Sequence, residues 1–506
     1  MLLHLRYRQK ETQNKTLMVR APEFPKNLTW LNVQRPLSLK EFRGRILLLD
    51  FWTYGCINCI HSLPDLKYLE DKYHDRLTIL SIHSAKFENE SSIENIRQAI
   101  LRYEITHPVL VDRDFQVWES YAVRAYPTFV LIDANGRIVR TIAGEGRREL
   151  LDQLIGELVN GIEPKDIQFE LEDMPISPLA FPGKVLASDR LFIADSGHHR
   201  IVVTTFEGEV LDIIGTGFSG LKDGSFDEAQ FSNPQGMTIH QNILYVADTG
   251  NHAIRCIDLE KRIVSTIAGT GNQSKTIYPH GGKALEVDLN SPWDLVWNGY
   301  RLFIAMAGAH QIWEMKENVI QTFAGTGAEA SFDGAIQEAA FAQPSGITTN
   351  GKELWIADSE TSSIRSIDLA TSQVKTVCGG GDLYNFGDVD SIGETARLQH
   401  CLDVEFAEQL WIADTYNHKI KRVNSDGFCQ TVFTESFSEP SGISATATHL
   451  FIADTNHHAI RKIDLKTLEI SSIDFPSLCA PTVCFPHYIS ALKKGDSKER
   501  PHEQGE

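Results

Sequence analysis

The chain has 506 residues, 42% hydrophobic and 23% charged, which is globular composition and too long for one ordinary domain. Its net charge of −19 is unevenly placed: residues 1–160 hold 22 basic and 20 acidic side chains, leaving 26 and 47 for the rest, so −21 lies beyond residue 160. A surface that negative repels phosphate backbones and anionic lipid, which argues against nucleic-acid and membrane partners.

Met1 to Lys10 carry one apolar triplet and then mixed charge, too short for a signal-peptide core, and no run of about 18 apolar residues follows. The expectation is a soluble, cytoplasmic protein. Eight cysteines are too few for a disulfide scaffold. Only Cys56 and Cys59 are spaced as CxxC; Cys479 and Cys484, with four residues between them, come next. In a reducing compartment this pattern reads as one reactive pair plus buried thiols.

Residues 1–160 read as an α/β domain. The apolar run 46–53 (ILLLDFWT) predicts a strand buried on both faces, broken by Tyr54 and Gly55. Cys56 then opens a helical pattern to about Tyr73. A strand at 78–83, a helix at 91–103, a strand at 108–112 and a helix at 115–122 follow. Hairpin strands 128–133 and 137–143, turned at Asn135-Gly136, and a helix at 147–159 close the layer.

A CxxC at a helix start has a physical logic. Unpaired N–H groups and the helix dipole stabilise a thiolate on the first cysteine, and the second, shielded half a turn inside, resolves a mixed disulfide. The motif alone also fits half a zinc site or a structural pair, but no second Cys/His pair is spaced for zinc in this domain. No metal and no cofactor is expected.

Residues 161–177 read as a linker, in which 167–171 could add a strand. From 178 to 476 one unit recurs: an apolar strand ending in Ala-Asp, a polar tetrapeptide, then a strand of the type Ile-Arg-x-Ile-Asp. The copies span 191–203, 244–258, 302–315, 354–368, 410–423 and 450–464. Their aspartates are Asp195, Asp248, Asp358, Asp414 and Asp454, with Met306 in the third copy. Four short strands per unit, repeated radially, bury in a closed ring what one blade cannot, so a six-bladed, all-β propeller is predicted. The extra residues at 218–230 and 328–342 read as binding loops on one rim.

Three signals in the repeats have blander readings. Gly215 to Gly220 matches GxGxxG, but no helix pattern follows and the Gly-Thr recurs in other blades, so it reads as a turn. His199, His252, His310, Ser362, His418 and His458 stand four residues after the motif aspartate position. A metal-binding ring is conceivable there; a fold signature, with Asp capping the turn and His bonding backbone, is simpler. Asp223, Asp227 and Asp333 could bind calcium, but solvated surface is simpler. Beyond 476 the pattern fades into an extension, 477–506, whose end has disordered composition, although Cys479 to Leu492 could form a last strand or pack on a blade.

Asp50-Phe51-Trp52, Cys56-x-x-Cys59 and Tyr126-Pro127-Thr128 resemble the thioredoxin superfamily and its TlpA-like branch, and the second half resembles NHL repeats. With TYGCINCIHSLPDL (53–66), HSAKFENE (83–90) and ILRYEITHP (100–108), the order of parts resembles the NHL repeat-containing protein 2 family in its bacterial form. The resemblance implies a thiol–disulfide oxidoreductase acting on protein or small disulfides. Cys56 would attack, Cys59 resolve and Asp50, below the disulfide, move a proton. Trp52, Tyr126, a cis Pro127 and Thr128 would meet the substrate, and the propeller would be a protein-interaction platform. The alternatives are a scaffold with an incidental dithiol and, more remotely, a peroxiredoxin-like peroxide reductase. Thr53 precedes Cys56 as in that motif, but Leu49 stands where its proline belongs.

Overall fold

A computed structural model describes residues 19–165, 167–276, 280–434 and 437–481. The described residues form two compact units. The first comprises the chain to Thr53, Asn58–Ser84 and Ile105–Glu172; the second comprises Tyr54–Ile57, Ala85–Glu104 and the chain from Asp173.

The first unit is built on β1 (Thr29–Leu31), β2 (Ile46–Trp52), β3 (Leu77–His83), β4 (Val109–Val111), β5 (Thr128–Ile132) and β6 (Ile138–Ala143), in the order β1-β4-β3-β2-β5-β6. β2, β3 and β4 are parallel neighbours; β1, β5 and β6 pair antiparallel. Helices α1 (Ile57–Tyr73), α2 (Ile93–Arg102), α3 (Gln116–Ser120) and α4 (Arg148–Leu158) interleave as the periodicity predicts, α2 lying in the segment grouped with the second unit. Strand alternation sorts β2 to two faces. Leu47, Leu49 and Phe51 join Val117 and Tyr121; Ile46 and Leu48 join Leu66 and Leu69 of α1 and Leu151 and Ile155 of α4. Asp50 follows Ile46 and Leu48 on the α1 side. β1 has no sequence signal, being three residues that gain strand form by pairing with β4.

The second unit contains six antiparallel sheets, two of four strands and four of five, and the innermost strands neighbour one another in a closed ring. Six apolar clusters lie between successive blades, and Leu179, Val202, Phe451 and Ile460 close the seam between last and first. Segments 218–230 and 328–342 are not free rim loops. Gly224–Ser225 and Gly334–Ala335 add an edge strand to the blade that follows, and Phe226, Phe231, Ala339 and Phe341 are buried between blades.

The recurrent histidine is an inter-blade staple. At His199, His252, His310, His418 and His458 the backbone is left-handed, and Nδ1 accepts the N–H of Asn233, Ser291, Gln343, Glu439 and Phe181 of the next blade at 3.0–3.1 Å. Ser362 does the same for His400 through its hydroxyl. The ring therefore closes with His458 on Phe181. Burial holds His199, His418 and His458 below the ordinary histidine range, His458 at about 4, which suits a nitrogen that must accept.

Each motif aspartate is buried and accepts a backbone N–H from the start of its own blade. It also pairs with a basic residue: Asp195 with Arg200, Asp248 with Arg255, Asp358 with Arg365, Asp414 with Lys421 and Asp454 with Arg461. In the second, fourth and fifth blades a further aspartate, Asp223, Asp333 or Asp390, reaches the same cation and a threonine of the outer strand. Asp223 and Asp333 are solvent-exposed, as expected, and also clamp the cation to a threonine of the outer strand. Among the described residues no group of three His, Cys, Asp or Glu side chains is placed to hold a metal ion.

Residues 167–171 form no strand. Phe475 and Leu478 pack into the last seam, Cys479 is disulfide-bonded, and residues 482–506 lie outside the described residues. No helix among the described residues is long and apolar enough to cross a membrane.

Candidate active site

The apolar run of β2 ends at Trp52, a turn occupies 54–55, and α1 begins at Ile57. Cys56 therefore immediately precedes the first helical residue and Cys59 is the third. Cys56 is partly exposed and Cys59 is buried. The first helical turn has no acidic side chain to oppose a thiolate.

In the first unit, Asp50 is buried with Oδ1 lacking any hydrogen-bond partner, while Oδ2 accepts from Ser81 Oγ at 3.0 Å. Burial pushes its carboxyl up to about 6, against the pull of the His107 charge and the Ser81 hydrogen bond. Tyr126-Pro127 is a cis peptide. The Tyr126 ring lies 4.5 Å from that of Trp118 and its hydroxyl donates to the Ser84 carbonyl; Thr128 Oγ1 donates to Ala125 O. Trp52 has no exposed surface and stacks edge-on against His83, so it offers a substrate nothing in this structure.

In the second unit, the segment before α1 is held by groups the sequence reading missed. The Gly55 N–H donates to Glu90, and the Gln343 side chain spans the turn, donating to Gly55 O at 2.9 Å and accepting from Ile57 N–H at 3.0 Å. A Cβ on Gly55 would lie 2.7 Å from the Tyr416 hydroxyl and 2.9 Å from Glu90 Oε1, so any larger residue would have to displace these side-chain ends. Lys86 pairs with the buried Glu360; burial pulls its pKa down, but the charge and hydrogen bond of Glu360, with smaller help from Glu329 and Cys56, leave it raised, so it stays cationic. Gln343 was in view only as part of the Gln-Pro strand start, where the repeat signature hid its individual contact.

Profile comparison agrees with the two halves: a family described as "Thioredoxin-like" covers residues 44–138 and "NHL repeat" covers 231–257. Across 515 aligned residues the chain is 41% identical to "NHL repeat-containing protein 2" of Bos taurus, covering 89% of this chain and 71% of the bovine one. The chain belongs to the NHL repeat-containing protein 2 family. The family resemblance extends to "Protein SUPPRESSOR OF QUENCHING 1, chloroplastic" of Arabidopsis thaliana, 41% identical over 510 residues, 92% of this chain and 48% of that one. The first half is also similar to "Thiol-disulfide oxidoreductase YkuV" of Bacillus subtilis, 24% identical over 140 residues, 27% of this chain and 93% of that one. The family member described here thus joins a thioredoxin-like domain, related to thiol–disulfide oxidoreductases, to an NHL propeller.

Proposed function

We propose that this chain is a thiol–disulfide oxidoreductase of the cytoplasm whose propeller receives a protein partner. The observation that carries the reading is the desolvated Asp50 carboxyl, one oxygen unpartnered, on the sheet face that packs against the CxxC helix. A structural dithiol has no need of a buried, unsatisfied carboxylate, which costs stability. In the proposed reaction the Cys56 thiolate attacks a substrate disulfide and expels one thiolate. Cys59 then attacks the mixed disulfide, its proton passing to Asp50, and the second substrate thiolate leaves. The chain ends oxidised and the substrate reduced by two electrons. The strongly acidic second half leaves nucleic acid and anionic membrane outside the proposed partners.

Differential alkylation in glutathione buffers of graded poise tests this. Cys56 should react faster than a free thiol, and a Cys56–Cys59 disulfide should form reversibly. An unreactive Cys56 with no redox-dependent disulfide would leave a scaffold. The scaffold reading has one observation of its own, since Gln343 already occupies the Gly55 carbonyl and the first helical N–H.

A further inference from the structure

The first unit carries a string of polar groups that leads away from Asp50. Ser81 Oγ lies 3.0 Å from Asp50 Oδ2 and 2.8 Å from His107 Nε2. His107 Nδ1 lies 3.4 Å from Glu70 Oε2, which also accepts from the exposed Thr106 hydroxyl at 3.3 Å. Ser81 and His107 are buried in strands and loops of apolar neighbours, whereas the Glu70 side chain on α1 is 26% exposed. Each link is within hydrogen-bond reach, so the string joins the core to solvent.

Ser81 has a single hydroxyl hydrogen, and this restricts the string to two arrangements. With Asp50 protonated, Asp50 donates to Ser81, Ser81 donates to His107 Nε2, and Nδ1–H donates to Glu70. With Asp50 ionised, Ser81 donates to Asp50 and accepts from His107 Nε2–H, and the imidazolium keeps Nδ1–H on Glu70. The two differ by one proton moved from Asp50 to His107. Asp50 is hydrogen-bonded by Ser81 from β3, feels the charge of His107 before β4, and has the apolar Phe129 of β5 as its cross-strand neighbour. His107 is faced by Asp50 through Ser81, and by Glu70 and Thr106.

We propose that Ser81, His107 and Glu70 are the exit path for the proton that Asp50 takes from Cys59. The inference rests on the oxidoreductase reading. As Cys59 sulfur bonds to Cys56 sulfur and the substrate thiolate leaves, the Cys59 proton moves to the unpartnered Oδ1 of Asp50. The carboxyl then turns over so that this proton faces Ser81, Asp50 passes it to Ser81 Oγ, and Ser81 passes its own to His107 Nε2. The imidazolium, held by the Glu70 carboxylate, gives up Nδ1–H to water through Glu70. One proton enters and one leaves, and the electrons stay with the sulfurs. Ser81, His107 and Glu70 are positioning residues, acting through Asp50.

The test uses the full chain with Cys256→Ser, which removes the partly exposed thiol elsewhere, and 5,5′-dithiobis(2-nitrobenzoate) as the disulfide. Release of a first thionitrobenzoate reports Cys56 attack; the second reports resolution by Cys59. Ser81→Ala and His107→Gln should leave the first phase alone and slow the second about tenfold at pH 6–7, a modest share of what general acid–base groups supply. The deficit should vanish towards pH 9, where hydroxide takes the proton, and Ser81→Thr should restore the rate. Carbon-13 NMR of the Asp50 carboxyl in the reduced chain should show its pKa raised by His107→Gln. Second phases and Asp50 titrations unchanged in both variants would overturn the relay while sparing the oxidoreductase. A loss uniform across pH and not rescued by threonine would overturn it as a packing effect. A parent protein with no second phase would overturn the enzyme reading itself.

Discussion

The six blades contain their own control experiment on buried ion pairs. In the fourth blade Asp358 and Arg365 have no exposed surface. The aspartate accepts from Ala342 N, Thr361 Oγ1 and Arg365, and the arginine also reaches Asp333 and the carbonyls of Ala340 and Phe332. In the third blade the three charged positions are Met306, Trp313 and Gly281, all neutral together, and Met306 and Trp313 lie in one apolar cluster. Burial pushes the Asp358 carboxyl up to about 7, outweighing the Arg365 charge, so the pair sits near the break-even point between desolvation and attraction. Asp358→Ala should therefore cost about 3 kcal/mol, the lower end for breaking a buried pair, because Arg365 retains Asp333. Replacing both partners by the third blade's pair, Asp358→Met with Arg365→Trp, should cost less, about 1 kcal/mol. Equilibrium urea unfolding of the whole chain, followed by circular dichroism of the sheet, measures both. A single change costing under about 1 kcal/mol, or a paired change as costly as the single one, would refute the argument.

Three further outcomes are expected. His458→Ala should weaken the seam that closes the ring by about 1 kcal/mol, whereas His458→Ser should lose less, because Ser362 makes the same bond in the fourth blade; thermal unfolding distinguishes them. Burial raises Asp358 and Asp403 to about 7, so the folded chain holds protons that the unfolded chain has lost between about pH 4 and 7. Their contribution is complete below the unfolded pKa and is lost as pH rises through 7, while the buried histidines with lowered pKa values act in the opposite sense, so Asp403→Asn should make the change in urea stability from pH 5.5 to 8 more positive than in the parent chain. Gly55→Ala, forced against Tyr416 and Glu90, should cost about 1–3 kcal/mol and alter Cys56 alkylation without touching either cysteine.

The sequence by itself determined the parts whose signal is local. Periodicity placed β2, α1 and the closing hairpin nearly to the residue, the recurrence of Ala-Asp and the Pro starts counted six blades, and chain order put Cys56 at a helix start and Cys59 inside it. It also favoured a backbone-bonding role for the recurrent histidine. What it left open depends on residues far apart in the chain. Phe181 and His458 meet only when the ring closes, and the edge strands at Gly224 and Gly334 exist only because the following blade offers an outer strand to pair with. Ser81 and His107 look like ordinary strand and loop residues until β2, β3 and β4 lie side by side and line them up with Asp50. The grouping of Tyr54–Ile57 and Ala85–Glu104 with the propeller was equally invisible, since no repeat and no periodicity marks it. Local pattern reports which face of an element is apolar; which polar atoms end within 3 Å of one another is decided by tertiary packing alone.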